Sequence, residues 1–256
     1  MSDMLGDRQQ QILAYLEQNK TARVKELSDL LGVSEMTIRR DLQVLDQKRL
    51  LIKTHGGAVQ VERPLSQEVP YDRKLHHRID EKRRIAAAAA KMVSDGDTIL
   101  LDAGSTTLAM AQALTGLTRV TVITNDVQIA LQLAHKPGIS LVVAGGMMHD
   151  DVYTLMGPST EGFLNSIHVD KTFLGADGVD LKAGVTNRTL LEVSVKQAMI
   201  RAAREPILLC DSGKFGHRVF AKVCDLDQIS TIITDNGLSP EEAKQYAEFV
   251  PRFITV

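Results

Sequence analysis

SEMTIRRDLQVLDQKRLLIKTHGGA, from Ser34 to Ala58, decides how the amino-terminal part of the chain folds. Ile38, Leu42 and Leu45 fall at i, i+4 and i+7, one apolar stripe on a helix that must dock on other helices. Met36, Arg40 and Gln43 point away from that stripe, with Thr37 and Arg39 on its shoulders. The free face therefore carries cationic and hydrogen-bonding groups of the kind that read base edges and phosphates. Ser34, ahead of Glu35, is placed as the N-cap. Upstream, Val24, Leu27, Leu30 and Leu31 make a short amphipathic helix that Gly32 ends in a left-handed turn, and Val33 plugs the angle between the two helices. Ile12, Leu13 and Leu16 supply a first helix, and Leu50 to Lys53 followed by His55-Gly56-Gly57 supply a hairpin with a permissive glycine turn. Helix, short helix, glycine turn, basic helix and wing, in that order, predict a winged helix-turn-helix whose partner is double-stranded DNA. Its expected contact residues are Ser34, Glu35, Met36, Thr37, Arg39, Arg40 and Gln43, with Lys53 and His55 from the wing. One detail fits less well: Arg23 stands where the second helix normally has Ser, Thr or Asp, so Thr21 or water is expected to satisfy those amides.

A chain of 256 residues suits two domains. The boundaries expected are a DNA-binding domain over 1–60, a linker over 61–80 where Pro64, Pro70 and many charges interrupt the hydrophobic periodicity, and a body over 81–256. With 24% charged and 44% hydrophobic residues, no apolar run long enough to span a membrane and no signal-like start, the protein is expected in the cytoplasm. Cys210 and Cys224 lack metal spacing and read as buried free thiols; the adjacent His76-His77 has no Cys or carboxylate grouping around it, so neither a metal nor a cofactor is expected. Residues 1–85 hold 16 Lys and Arg against 13 Asp and Glu. So weakly basic a head needs two or more copies on one duplex, which predicts a homo-oligomer, dimer or tetramer, reading repeated half-sites.

After Asp80 the pattern changes. A helix over the alanine run Ala86 to Ala90 is followed by strand candidates Thr98–Leu101, Val120–Ile123, Ser140–Ala144, Lys171–Gly175, Ile207–Cys210, Thr231–Thr234 and Phe253–Val256. Helices fit between them, near Thr107–Leu114, Asp126–Leu133, Thr160–Ile167, Leu190–Ala203 and Pro240–Phe249. Near-continuous apolar strands joined by helices predict an α/β domain with a mostly parallel sheet, covered on both faces, that binds ligands beyond the carboxyl ends of its strands. Those ends read Asp102 to Thr107, Thr124-Asn125, Gly145-Gly146, Asp177-Gly178 and Asp211 to Lys214. Gly104-Ser105-Thr106-Thr107 entering a helix is a phosphate cradle in type, since glycine lets the backbone approach and the first helical amides are free donors; Lys214 adds a cation. The convergence predicts a pocket for a small polyol or sugar bearing a phosphate. Asp177 and Glu192 also admit an acid/base pair for a sugar-phosphate isomerase, although hydrogen bonding to ligand hydroxyls accounts for both carboxylates.

Taken over nearly its whole length, the chain resembles the DeoR family of bacterial sugar-metabolism regulators. The resemblance rests on VSEMTIRRDL (Val33 to Leu42), THGGA (Thr54 to Ala58), DAGSTT (Asp102 to Thr107), VITN (Val122 to Asn125), AGG (Ala144 to Gly146), GADGVD (Gly175 to Asp180) and CDSGKFG (Cys210 to Gly216). It implies a winged helix-turn-helix head and a sensor domain similar to ribose phosphate isomerase. It also implies a homo-oligomeric repressor, not an enzyme, that a phosphorylated sugar or polyol effector releases from operator DNA. Carried over position by position, the effector site would be Asp102, Gly104, Ser105, Thr106 and Thr107 around the phosphate, walled by Thr124, Asn125, Gly145, Asp177, Glu192, Lys196 and Lys214. The segment Lys182 to Lys196 and the pair Asp150-Asp151 are where the chain departs most from the family pattern.

Overall fold

The structure, a computed structural model, describes residues 6–48, 50–61, 65, 69, 71–148 and 153–256, so Asp150 and Asp151 lie outside the described residues. The chain divides into two compact units, Met1–Pro64 and Leu65–Val256.

In the first unit, helices α1 (Asp7–Asn19), α2 (Val24–Leu31) and α3 (Glu35–Gln47) pack around Ile12, Leu16, Leu27, Ile38, Leu42 and Leu45, all fully buried. Burying each such side chain is worth about 1.5–3 kcal/mol. Gly32 ends α2 at φ +64, the left-handed turn that its lack of a Cβ permits. At the start of α2 the Arg23 amide donates to the Glu26 carboxylate at 2.9 Å, and the next amide, Val24, donates to Gly56 O at 2.9 Å, so neither of these two relies on Thr21. Strands β1 (Thr21–Arg23), β2 (Leu51–Lys53) and β3 (Gly57–Gln60) form an antiparallel sheet in the order β1-β3-β2, so the wing has a third strand that the sequence pattern did not announce. Gly57 serves close approach and not a turn conformation. A Cβ there would sit 1.9 Å from Ala22 O of β1.

The second unit opens earlier than the expected linker boundary at 80. Helix α4 (Tyr71–His76) lies inside that stretch, and its Tyr71 is buried in the same cluster as Ile85 and Ala89 of α5 (Ile79–Ala90). A six-residue helix whose two apolar anchors, Tyr71 and Leu75, stand among charges is too short to show a periodicity. The elements β4 (Thr98–Leu101), α6 (Ser105–Ala113), β5 (Val120–Thr124), α7 (Val127–Leu133) and β6 (Ile139–Val143) come next. After the hairpin β7 (Met147–Met148) and β8 (Leu155–Met156) the chain continues through α8 (Pro158–Leu164), β9 (Val169–Leu174), β10 (Gly178–Asp180), β11 (Gly184–Asn187) and α9 (Leu190–Ala202). It ends with β12 (Ala203–Leu209), β13 (Ala221–Cys224), β14 (Thr231–Thr234), α10 (Pro240–Ala247) and β15 (Arg252–Thr255).

Seven strands form a parallel sheet in the order β15-β14-β12-β9-β4-β5-β6. Its side chains alternate between two cores. Ile99, Leu101, Phe173, Ile207 and Leu209 face α5, α6 and α7, whereas Leu100, Leu174, Leu208 and Ile232 face α8, α9, α10 and a small antiparallel sheet, β10-β11-β13. Cys210 and Cys224 are buried and unbonded, and burial pushes the Cys224 thiol up to about 12 and raises that of Cys210 as well. The strand order reverses between β4 and β9: the chain runs outward from β4 to β6, then returns to β9 on the other side of β4 and runs outward to β15. That reversal opens a crevice at the carboxyl ends.

Candidate functional site

Two separate surfaces carry the expected residues. On the first unit, the Ser34 hydroxyl accepts the Thr37 amide at 3.3 Å and lies 3.0 Å from the Thr37 hydroxyl, so this pair builds the start of α3. Glu35 accepts from Arg39 at 3.2 Å on the exposed face. Lys53 of the wing donates to Gln43 of α3 at 2.5 Å and its amide to Asp46 at 2.9 Å, which ties wing to helix. Asp41 is different: it is buried and held by Arg8 at 2.5 Å, bracing α3 on α1. Met36 is 80% exposed, and His55 is exposed at the tip of the wing. Arg40 is also exposed and forms no ion pair among the described residues, so its guanidinium is available to a phosphate or a guanine edge.

At the crevice of the second unit, Asp102 follows β4 and meets Lys196 from α9 in an ion pair that leaves both side chains almost inaccessible. The same carboxylate accepts the Gly175 amide at 2.9 Å, and Lys196 donates to Gly175 O at 3.1 Å. Burial alone would lower the Lys196 pKa, but the Asp102, Glu192 and Asp177 carboxylates more than offset it and hold the ammonium charged. Glu192, one turn before Lys196 on α9, accepts from Asn187. Asp177 pairs with Lys74 of α4 at 3.2 Å and accepts the Arg188 amide at 3.2 Å. Its burial would raise the carboxyl, yet Lys74, Lys214, Arg188 and Lys196 together drive it well below the usual carboxylate range. So strongly stabilised a carboxylate is a poor proton acceptor at neutral pH, which argues against the acid/base pair.

The cradle divides into parts that face the crevice and parts already engaged. Gly104 caps α6 at φ +152, and the buried Asp126 carboxylate accepts the Gln128 and Ile129 amides at 2.7 and 3.0 Å. The Thr107 hydroxyl donates back to Gly104 O at 2.9 Å. Thr124 donates to Leu101 O at 2.9 Å and receives the Asp126 amide, while Asn125 donates to Leu155 O at 3.0 Å. These three side chains thus brace strand ends. Ser105 is half-buried, Thr106 is buried, and Gly145 is exposed with open space beside its Cα. The amides opening α6 have no carbonyl of their own helix to pair with, which leaves them to an anion.

Sequence reasoning missed a second ring of charge. Arg78 donates to Ser212 at 2.7 Å and lies 3.7 Å from Asp211. Asp235 holds the Ser212 amide at 2.7 Å and its hydroxyl at 2.8 Å. Lys82 is buried and donates to Lys74 O, and burial brings its pKa down to about 8 against the pull of Asp211. Lys74, Arg78 and Lys82 all sit in or next to the segment read as a linker; the spacing of i, i+4 and i+8 was the available signal.

The DeoR-like helix-turn-helix domain matches residues 8–63, and the DeoR C terminal sensor domain matches residues 77–236. The chain belongs to the DeoR family. Among DeoR-family relatives, an uncharacterized regulator of Bacillus subtilis, YulB, is 37% identical over 94% of this chain and 93% of its own length. GolR of Listeria innocua is 34% identical over 94% of this chain and 95% of its own. A putative aga operon transcriptional repressor of Escherichia coli O157:H7 is 32% identical over 91% and 87%. All three carry names of transcriptional regulators, and regulation of transcription through the helix-turn-helix is the activity of this DeoR-family chain. Ribose 5-phosphate isomerase A of Methanocaldococcus jannaschii is 23% identical over 54% of each chain, with a TM-score of 0.39. No helix among the described residues is long and apolar enough to cross a membrane.

Proposed function

We propose that the protein represses a carbohydrate-catabolism operon as a homo-oligomer in the cytoplasm, and that a phosphorylated sugar or polyol releases it from operator DNA. The observation that carries this reading is the charge at the crevice: Lys74, Arg188, Lys196 and Lys214 act on Asp177 beside the open start of α6. Asp102, Asp177 and Glu192 answer those four cations only in part, so a dianion is welcome there, and carboxylates that stay ionised suit ligand hydroxyls as acceptors. The repressor name of the aga relative supports the sign of the response. Release follows if the ligand favours one arrangement of the oligomer in which the recognition helices no longer match successive half-sites.

The test is a thermal-shift screen of triose, pentose, hexose and polyol phosphates, followed by anisotropy of labelled operator with each stabilising compound. A compound that stabilises the protein and frees the DNA is expected, and its unphosphorylated form should do neither. Stabilisation by the free sugar alone would sink the phosphate assignment.

A further inference from the structure

We propose that Met36 reads the 5-methyl group of a thymine in the major groove and that Arg40, one turn further along α3, reads a guanine close to it. A T and a G then form the centre of each operator half-site. Such reading rests on the DNA-binding role of the head, with α3 in the groove as in other helix-turn-helix proteins, and is independent of the effector and of the sign of the response.

The helical phase comes first. At about 100° per residue, Met36, Arg40 and Gln43 fall within about 60° of one another, on the side away from the buried Ile38, Leu42 and Leu45. Met36 stands in the first turn, the part of a recognition helix that meets base edges. It is 80% exposed, more than any other large apolar side chain among the described residues. Lys, Glu and Gln form helix about as well as Met, so folding of the head does not call for an apolar chain at this open site.

Subtraction then isolates the two readers. The Ser34 and Thr37 hydroxyls lie 3.0 Å apart and serve the cap. Glu35, whose carboxylate could accept from a cytosine amine, is turned to Arg39 at 3.2 Å. The carbonyl oxygen of Gln43, which adenine recognition uses as acceptor, takes a hydrogen bond from Lys53 at 2.5 Å. The thioether chain of Met36 and the guanidinium of Arg40 remain. In the major groove the thymine methyl is the apolar feature, and guanine O6 and N7 are the acceptor pair that fits an arginine fork. Four residues of helix rise about 6 Å and one base step about 3.4 Å, which sets the T and the G within about two base pairs of each other.

Selection from random duplexes by the full chain supplies the operator. In it each thymine is replaced singly by uracil, which keeps the base pair and removes only the methyl, and binding is read by anisotropy. One thymine per half-site is expected at which uracil weakens wild-type binding about fourfold, the scale of one buried methyl group. Met36→Ala should bind thymine and uracil operators equally with its melting temperature unchanged, and Met36→Leu should keep the preference for thymine. Replacing guanine by 7-deazaguanine within about two base pairs of that thymine should weaken the wild type at least about fivefold and leave Arg40→Ala indifferent. Indifference of the wild type to uracil at every thymine, or a methyl effect that persists in Met36→Ala, would overturn the assignment of Met36. A 7-deazaguanine effect that persists in Arg40→Ala would overturn that of Arg40. Enrichment of no sequence would count against the head itself, and the proposal would fall with it.

Discussion

Lys196 and Asp102 are each other's main partner in a place water barely reaches, so the two charges stand or fall together. Lys196→Met leaves a buried carboxylate uncompensated and should cost about 3–5 kcal/mol in urea unfolding, whereas adding Asp102→Asn should recover part of it. Asp126 behaves in the opposite sense. Burial raises its carboxyl from 3.8 to about 6, against the opposing hydrogen bonds from the Ile129 and Gln128 amides. The folded state therefore holds that proton more tightly than the unfolded chain. The stability this confers is complete below pH 4 and is lost as pH rises through 6. Asp126→Asn, which can still cap α7, should flatten melting temperature against pH across that window; an unchanged profile would assign the slope to other groups. Asp102, Asp177, Lys196 and Lys214 were legible as strand-end or family positions. Thr107, Thr124 and Asn125 were legible too, but a hydroxyl that can serve a ligand can equally serve its own turn, and sequence does not separate the two uses.

Helix α3 reads the same from sequence and from structure because its apolar stripe and its Ser34 cap agree. Arg40→Ala should leave the melting temperature unchanged and weaken operator binding about tenfold or more by anisotropy, as expected for a lost base or phosphate contact at the groove. Helix α4 is the counter-example. Its fold is set by Tyr71 and Leu75 reaching a distant core, information that no local window contains, and the cation it brings to Asp177 is Lys74. Lys74→Met should weaken binding of the phosphate ester found by the screen about tenfold, with Tyr71 still holding the helix in place. The antiparallel strands β10, β11 and β13 were likewise unread, since they are three or four residues long and partnered across the chain.

For the molecule as a whole, a sensor that releases DNA must obey reciprocity. If saturating effector weakens operator binding by some factor, saturating operator must weaken effector binding by the same factor. Titrating in both directions checks it, and unequal factors would mean that release is kinetic or needs a further component. Two-domain organisation was legible because helical and α/β patterns follow one another along the chain, whereas the seam at Pro64 was blurred by a charged stretch that folds with the second unit. The cysteines supply a practical corollary. With Cys210 and Cys224 enclosed and their thiols held protonated, a maleimide added to the folded protein meets a chemically blank surface. A single cysteine placed at exposed His55 would then be an exclusive attachment point for a fluorophore, turning the wing into an optical reporter of operator engagement.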